Sequence, residues 1–512
     1  MITRPSMTEL LEGITLTLEA MQAGRYEHPE SQAIPLLGVV DRLNSEWSSW
    51  QVLLLEDNLD LKDTLTDLNH SVPNTPETDR GGHHVATLEA ENRSLKSSLD
   101  QLILKYDLPA DANANANVVA ADEAVKTFLS RSLHRSHRVD VAPPRVAPTS
   151  GNAAGASISL ADLETTLLKY LQAEMPDASQ ITMTDLDQLA GGASREAWIF
   201  DLSWQADGTP RTEACILMRE PISSVLVSDT SDTEFNGTRR TMRNEVETIR
   251  TMQQQGVKVA DILFLETTGQ WLDRPFTIAR RLPGTADVSE VLASPDAETL
   301  LEEFIDLLSQ IHQIDPLTSG FEFLGKPTRE TTARIQVDLF EQNFKAQALE
   351  PFPAITYMIQ WLKKNAPKAD RLSVIHGDYR LGNFLWHEGH ITAVLDWEQV
   401  HLGDPLEEIA FMYWPLWTLE PVCPIETFIT RYGEKMGTPV DRTALAYYRV
   451  FIELKMLVVV LTGAASFYAT KERQLHYGAS TTNALIRESE LRAIESILQG
   501  GPTVAFDAYP AS

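Results

Sequence analysis

The chain has 512 residues, enough for two to four domains at roughly 150 residues each. It carries 72 acidic against 43 basic residues, a formal net charge of −29, which argues against a nucleic-acid-binding or membrane-binding surface. Hydrophobic residues make up 43% of the chain, as in globular proteins with a sizeable core. The two cysteines, Cys215 and Cys423, match neither a disulfide framework nor a zinc pattern, so we expect a reducing cytoplasm.

No segment predicts a secretion signal or a membrane span. Residues 1–24 are apolar at helical spacing but include three glutamates and lack a basic start. The most apolar stretch, residues 456–470, is 15 residues long and lies between two lysines, whereas a span needs about 20 residues. We expect a buried helix there.

Residues 1–133 predict an all-helical domain. A seam of large apolar residues recurs at intervals of three and four: Leu36, Val40, Leu43, Trp47, Trp50 and Leu54. The seam resumes at Leu61 after an interruption at Asp57-Asn58, and a further helix is predicted over residues 88–106. His83-His84 has no other ligand nearby and indicates a solvated loop rather than a metal site. We expect this domain to fold by itself and to provide a homodimer contact, a partner contact or a lid.

Composition changes over residues 134–157, where proline, glycine and serine replace large apolar residues, so we predict a linker. Residues 158–284 then predict a β-rich lobe, and residues 285–500 a mainly helical one. Strands are expected at 198–204, 214–218, 257–265 and 275–280, with a helix at 241–254.

The most informative segment is a polar turn that follows a short apolar run, His376-Gly377-Asp378, with Asn383 five positions after the aspartate. A second apolar run ends at Asp396-Trp397-Glu398. Two carboxylates and an amide on adjacent loops are what phosphoryl transfer from a nucleotide requires, because one carboxylate faces the acceptor hydroxyl while the amide and the other carboxylate bind Mg²⁺.

This pattern resembles the aminoglycoside phosphotransferase and choline kinase-like superfamily, relatives of the protein kinases. Residues 376–383, 393–398 and 402–408, taken together, are closer to a bacterial phosphotransferase-family branch that resembles the kinase-like domain of some acyl-CoA dehydrogenases. The resemblance covers roughly residues 180–475. It implies an α+β, two-lobed protein kinase-like fold, with a β-rich N-lobe and a helical C-lobe, here preceded by the all-α domain.

The resemblance also implies a role for residues of the two loops. Asp378 would orient and deprotonate the acceptor hydroxyl, and Arg380 would lie on the transferring phosphoryl group. Asn383 and Asp396 would bind Mg²⁺. Two residues would support the catalytic loop structurally: His376 and Asp404. For Asp404 a simple helix cap is an equally open alternative.

The resemblance places the nucleotide on the β-rich lobe. Four residues of a glycine-containing turn would cover the phosphates: Gly191, Gly192, Ala193 and Ser194. Arg219 ends a strand where the superfamily usually has a lysine on the α- and β-phosphates, and Glu245 would pair with that cation. The backbone at Ala279 and Arg281 would meet the adenine.

Seven residues separate Asp396 from Asp404, too few for a regulatory activation loop, which favours a small-molecule acceptor. The acceptor pocket is expected from residues 323–361 and 411–448. An acidic pocket with Glu407 and Glu408 would suit an amino sugar or choline. An aromatic one would suit an acyl or aryl alcohol, although its four aromatic residues could equally be core: Phe411, Tyr413, Trp414 and Trp417.

We therefore predict an ATP-dependent, Mg²⁺-requiring O-phosphotransferase, with GTP as a possible donor and a hydroxyacyl compound slightly preferred over aminoglycosides and choline-like alcohols. The alternative is a catalytically weak pseudokinase that serves as a nucleotide-binding scaffold. A fragment beginning near Ser157 is expected to fold and to bind nucleotide as the whole chain does.

Overall fold

The computed structural model describes residues 7–23, 36–37, 39–40, 49–73, 85–105, 108, 116–136, 158–189, 195–220, 241–469 and 477–498. Contacts between Cα atoms divide the chain into two compact units. The helical unit comprises Met1–Ala147, Ala333–Pro367 and Arg442–Ala511, and the mixed unit comprises Pro148–Thr332 and Lys368–Asp441.

The described helices and strands are numbered in chain order. They are α1 Met7–Gln22, α2 Trp50–Asp67, α3 Val85–Ile103, α4 Ala116–Ser136, α5 Leu160–Glu174, β1 Ala178–Gln188, β2 Glu196–Ala206, β3 Thr209–Arg219, α6 Met242–Gln254, β4 Ile262–Glu266, β5 Phe276–Arg280, α7 Val288–Ala293, α8 Ala297–Gln313, α9 Thr332–Gln347, α10 Pro353–Lys364, β6 Ser373–Ile375, β7 Phe384–His387, β8 His390–Val394, β9 His401–Gly403, α11 Leu406–Met412, α12 Ile425–Met436, α13 Arg442–Ala469 and α14 Tyr477–Leu498.

Buried polar side chains join α2, α3 and α4 of the helical unit. Asp57 is fully buried and accepts hydrogen bonds from Asn92 Nδ2 at 2.9 Å, Ser132 Oγ at 2.6 Å and Arg135 Nη2 at 2.9 Å. Asn58 accepts a second bond from Asn92 at 2.8 Å. Partners on the neighbouring helices therefore satisfy both polar side chains inside a continuous α2, in which the apolar seam resumes at Leu61 as predicted.

The N-terminal helices share the core of the helical unit with helices from late in the chain. Helix α10 packs against α3, α13 and α14, and α4 packs against α14. The buried Tyr357 of α10 donates its hydroxyl to Asp122 of α4 at 2.8 Å. The first helices are thus not self-contained. Of the predicted linker, residues 134–136 are the last turn of α4, and 137–157 lie outside the described residues, as do His83-His84 and Trp47.

The mixed unit begins with α5 and a five-stranded antiparallel sheet in the order β1-β2-β3-β5-β4. The β2–β3 hairpin turns at Asp207-Gly208, both with positive φ (51° and 73°), which suits the twist of the strands it joins. One face of the sheet packs with α5 in a core that contains Trp198, Phe200 and Leu217. The predicted strand at 257–265 is shorter in the structure, where β4 begins at Ile262.

The rest of the mixed unit presents the two polar loops. Strand β6 pairs with β9 and contacts α8, while β7 and β8 form a hairpin that also contacts α8. The His-Gly-Asp turn follows β6, and Asp396 follows β8. The apolar stretch after Met456 lies in α13 as expected, and none of the described helices meets the length and hydropathy that crossing a membrane requires.

Candidate active site

His376 and Gly377 fix the turn that carries Asp378. Gly377 has φ 86°, and a Cβ there would lie 2.5 Å from Gln399 O, so only glycine fits. The Asp378 N–H donates to His376 Nδ1 at 3.2 Å, which leaves the proton on Nε2 to be donated to Leu395 O at 2.7 Å. His376 thereby joins the turn to the loop of Asp396.

The Asp378 carboxylate is held by two neighbours. Asn383 donates from Nδ2 both to Asp378 Oδ2 at 2.7 Å and to Asp378 O at 2.8 Å. Arg380 Nε donates to Asp378 Oδ1 at 3.1 Å, and the Arg380 guanidinium lies 5.4 Å from the centre of the half-buried Trp417 ring. Asp378 is only 8% exposed, so these contacts fix the direction of a carboxylate with limited access to water.

Asp396 lies next to this group in a left-handed conformation, φ 63° and ψ 60°. The preceding Leu395 N–H donates to Asn383 O at 2.8 Å, which couples the two loops directly. Burial, followed by the charges of Asp378 and Glu245, raises the pKa of Asp396 to about 6, although His376 and Arg195 lower it. A non-glycine residue held in this region of φ and ψ costs energy and is common at functional sites.

The donors present fit a magnesium ion. Both bonds that Asn383 donates come from Nδ2, so its Oδ1 is left to face a cation, and Asp396 supplies a carboxylate in a cluster of like charges. Within the described residues, no group of three or more His, Cys, Asp or Glu side chains forms a metal site. Two protein oxygens are nevertheless enough for Mg²⁺, which completes its six ligands with phosphate and water.

Glu398 is a part of this cluster to which sequence analysis gave no role. Burial raises its pKa to about 8, with the charge of Asp396 as the next cause. Helix α6 contacts the short 3₁₀ helix Trp397–Gln399, which brings Glu245 toward the same loop. The Asp-Trp-Glu triplet was the available signal, because it places two acids on the one short loop that follows the apolar run.

The predicted pair of Arg219 and Glu245 is wrong. Arg219 Nε donates to Glu196 Oε2 at 2.7 Å, Nη1 donates to Leu272 O at 3.3 Å, and the guanidinium stacks 5.2 Å from the centre of the Trp198 ring. Glu245 instead accepts two bonds from Arg195. The reason is strand alternation: Arg219 points to the same face of β3 as the buried Leu217, and that face packs against α5.

The other residues assigned to nucleotide binding are engaged in the sheet or lie outside the described part. Ala279 pairs with Ile216 of β3 and Ile262 of β4. The Arg281 N–H donates to Ala214 O at 2.8 Å, so a hydrogen bond to a base would have to come from another backbone group. Four residues of the predicted phosphate cover lie outside the described residues: Gly191, Gly192, Ala193 and Ser194.

Glu408 anchors the turn that carries Asp378, a role that the sequence had led us to expect of Asp404. Glu408 accepts the Gly377 N–H at 2.9 Å through Oε1 and His312 Nε2 at 2.9 Å through Oε2. Asp404 Oδ1 accepts the Leu406 N–H at 3.0 Å, the geometry of a helix cap. The acidic alternative for the acceptor pocket loses both of its named acids, because Glu408 is 1% exposed and so is Glu407, which lies 3.2 Å from His401.

Replacing Glu408 with glutamine is expected to destabilise the protein by about 1–3 kcal/mol at neutral pH, since a buried charged hydrogen-bond acceptor is lost. Burial raises the pKa of Glu408, but the His312 contact, His376 and the Gly377 N–H outweigh it and hold the pKa below its ordinary 4.5. The carboxylate's contribution is therefore complete above pH 4.5 and is lost as pH falls through the lowered pKa. Denaturant unfolding of wild type and Glu408→Gln at pH 7.5 and pH 4 measures the loss of stability and its dependence on pH.

The matched control is Glu388→Gln, whose side chain is 84% exposed. We expect its unfolding free energy to stay within about 0.5 kcal/mol of wild type at both values of pH. A difference between Glu408→Gln and wild type that grows as pH falls would contradict the assigned role.

Most of the aromatic residues proposed for the acceptor pocket are core. Phe411, Tyr413 and Trp414 are buried, with exposures of 2%, 6% and 2%. Trp417 is the exception, because it is half-buried and lies over Arg380. The location of the acceptor pocket, predicted at residues 323–361 and 411–448, stays a prediction.

Comparison with known proteins agrees with this geometry. Residues 216–448 match the family model described as the phosphotransferase enzyme family, APH. Acyl-CoA dehydrogenase family member 10 of Mus musculus is 26% identical over 215 residues, which cover 41% of this chain and 20% of that protein. Acyl-CoA dehydrogenase family member 11 of Homo sapiens is 32% identical over 118 residues, 22% of this chain and 15% of that protein. The chain thus spans a fifth or less of these relatives.

Among solved structures, the chain is similar to an aminoglycoside phosphotransferase-like protein of Ralstonia eutropha. The TM-score is 0.50 at 19% identity, covering 65% of this chain and 98% of the other. At that identity the likeness shows the fold alone. It confirms the predicted fold class, a kinase-like domain with an antiparallel sheet preceded by a helical region.

Proposed function

We propose that this chain, whose residues 216–448 match the phosphotransferase enzyme family, transfers the γ-phosphoryl group of ATP to a hydroxyl of a small molecule. The observation that carries the proposal is the joined pair of loops: Asn383 bonds to Asp378 through its side chain and to Leu395 through its carbonyl. These bonds hold together the carboxylate proposed to face the acceptor, that of Asp378, and the two residues proposed to bind Mg²⁺, Asn383 and Asp396. Such positioning, with charge neutralisation, accounts for most of the catalysis of phosphoryl transfer.

Each residue would have a distinct task. The Asp378 carboxylate would accept the proton of the acceptor hydroxyl, and Arg380, whose guanidinium lies beside it, would neutralise charge on the transferring group. Asn383 Oδ1 and Asp396 would hold Mg²⁺, which supplies charge neutralisation on the phosphates when bound. His376 would keep the two loops in register.

For the acceptor, we propose a hydroxyacyl compound ahead of an amino sugar or choline. A cationic acceptor would need exposed acids, but Glu407 and Glu408 are buried against His401 and His312. The matched relatives are named as acyl-CoA dehydrogenase family members, and this supports an acceptor that carries an acyl group.

Screening the full chain with ATP and Mg²⁺ against hydroxyacyl-CoA esters, aminoglycosides and choline tests this proposal. ADP release and the mass of a phosphorylated acceptor are the two readouts. We expect turnover that depends on a hydroxyacyl acceptor. Turnover confined to amino sugars would overturn the acceptor class, and nucleotide binding without turnover of any acceptor would favour the pseudokinase alternative.

A further inference from the structure

Arg195 lies where the β-rich lobe meets the catalytic loops. It directly precedes β2, and Glu196 pairs with Arg219 in the β2–β3 register while Ala197 pairs with Met218. Because side chains alternate along a strand, Arg195 shares the face of Ala197 and Met218, opposite the face that packs against α5. The half-buried Met218 thus occupies the place on this face that Arg219 was expected to fill.

The contacts of Arg195 join α6 to the Asp396 loop. Nη1 donates to Glu245 Oε1 at 2.8 Å and Nη2 donates to Oε2 at 2.6 Å, a bidentate pair. Nη2 also lies 3.9 Å from Glu398 Oε2. Although burial lowers the pKa of Arg195, Glu245, Glu398 and Asp396 together raise it above its ordinary value. The guanidinium is therefore a fixed positive charge close enough to interact with Asp396, one of the two candidate magnesium ligands.

Several N–H groups of the Arg195 guanidinium are not used by Glu245. Each Nη carries two hydrogens, and one from each nitrogen is used for Glu245. Within the part of the chain that the structure describes, the Nε–H and the other two Nη hydrogens have no hydrogen-bond acceptor, and the side chain is 14% exposed. Arginine binds phosphate bidentately through such a set of N–H groups.

The guanidinium of Arg219 is less accessible than that of Arg195. Its side chain is 3% exposed, and it is bound on the opposite face by Glu196, Leu272 O and the Trp198 ring. Arg274 also pairs with Glu196, at 2.8 Å, so the two arginines share one carboxylate on the face that is closed to a ligand by burial.

We propose that Arg195, rather than the arginine at the end of β3, binds the α- and β-phosphates of the nucleotide, with Glu245 as its positioning residue. This inference rests on the proposed function, since it assigns a residue to the same nucleotide site. It relocates the phosphate-binding cation from the third strand to the start of the second, where the face of the sheet and the Asp396 loop meet.

A matched pair of variants tests it: Arg195→Met and Arg219→Met, each in the full chain. Affinities for adenosine, ADP and ATP are measured by calorimetry with Mg²⁺, and folding is checked by circular dichroism and thermal unfolding. We expect Arg195→Met to weaken ADP and ATP at least tenfold while adenosine stays within threefold. Arg195→Lys should regain part of that loss, and Glu245→Gln should weaken ADP less than Arg195→Met does.

Arg219→Met should lower the melting temperature but leave nucleotide affinity within threefold; if it does not fold, Arg219→Lys replaces it. ADP affinity that is unchanged in Arg195→Met, or lost in a folded Arg219 variant, would overturn the inference while leaving the proposed function intact. A wild-type chain that binds neither ATP nor GTP would reject the proposed function, and the inference with it.

Discussion

Replacing Asp378 with asparagine is expected to lower the rate of phosphoryl transfer by about 10²–10⁴, the usual contribution of a general base. The amide cannot accept the proton of the acceptor hydroxyl. It also faces Asn383 Nδ2, which donates to the carboxylate at 2.7 Å in the wild-type chain, so the side chain loses its fixed direction. Steady-state turnover measures the first effect, and ATP affinity, expected within about threefold of wild type, shows that the nucleotide site is intact.

The control for this variant is Asp370→Asn, an exposed residue in the same unit. Its turnover should equal that of wild type. Asp378→Asn that keeps more than about a tenth of wild-type turnover would mean that another group accepts the proton, and the role assigned to this turn would fail.

Removing residues 1–156 is expected to leave a fragment that aggregates, contrary to the sequence-based expectation that it folds alone. Helices α10 and α14 of the helical unit would lose α3 and α4 as partners. Tyr357 would lose Asp122, and the side of α10 that packs against α3 would become exposed. Each large apolar side chain exposed costs about 1.5–3 kcal/mol, so about five of them would offset the roughly 5–15 kcal/mol that stabilises a typical domain.

Soluble yield and cooperativity of thermal unfolding measure the effect of the truncation. Co-expression of residues 1–150 as a separate chain should restore solubility, because the missing helices are then supplied in trans. A truncated fragment that is soluble, unfolds in one sharp transition and binds nucleotide like the full chain would instead show that the N-terminal helices are separable.

The catalytic turn was predictable from sequence because its chemistry is local. Asp378 and Asn383 are five residues apart, and the apolar run before Asp396 fixes where that loop emerges. The spacing indicated phosphoryl-transfer chemistry, and the resemblance supplied the role of each residue.

Arg195 was missed although the sequence held a signal for it. Trp198, Phe200 and Leu202 mark one buried face of β2, which places Arg195 on the other face. The same count from Leu217 places Arg219 on the buried face. The resemblance pointed to the residue at the end of β3, and the alternation of side chains between the two faces of the strand was not considered.

Glu408 could not have been predicted. Its partners, His312 and Gly377, lie 96 and 31 residues away along the chain, and no local pattern marks a helix glutamate as buried. The buried hydrogen-bonding role of Asp57 and Asn58 could not be predicted for the same reason, since their partners lie on other helices.

Calorimetric titration of the full chain with ATP and GTP, with and without Mg²⁺, tests the central assignment most directly. We expect Mg²⁺ to strengthen binding of at least one nucleotide by about tenfold or more, worth about 1.4 kcal/mol, and Asp396→Asn to remove that dependence. An unchanged dependence on Mg²⁺ in Asp396→Asn, or no binding of either nucleotide to the wild-type chain at millimolar concentration, would contradict the assignment of this site.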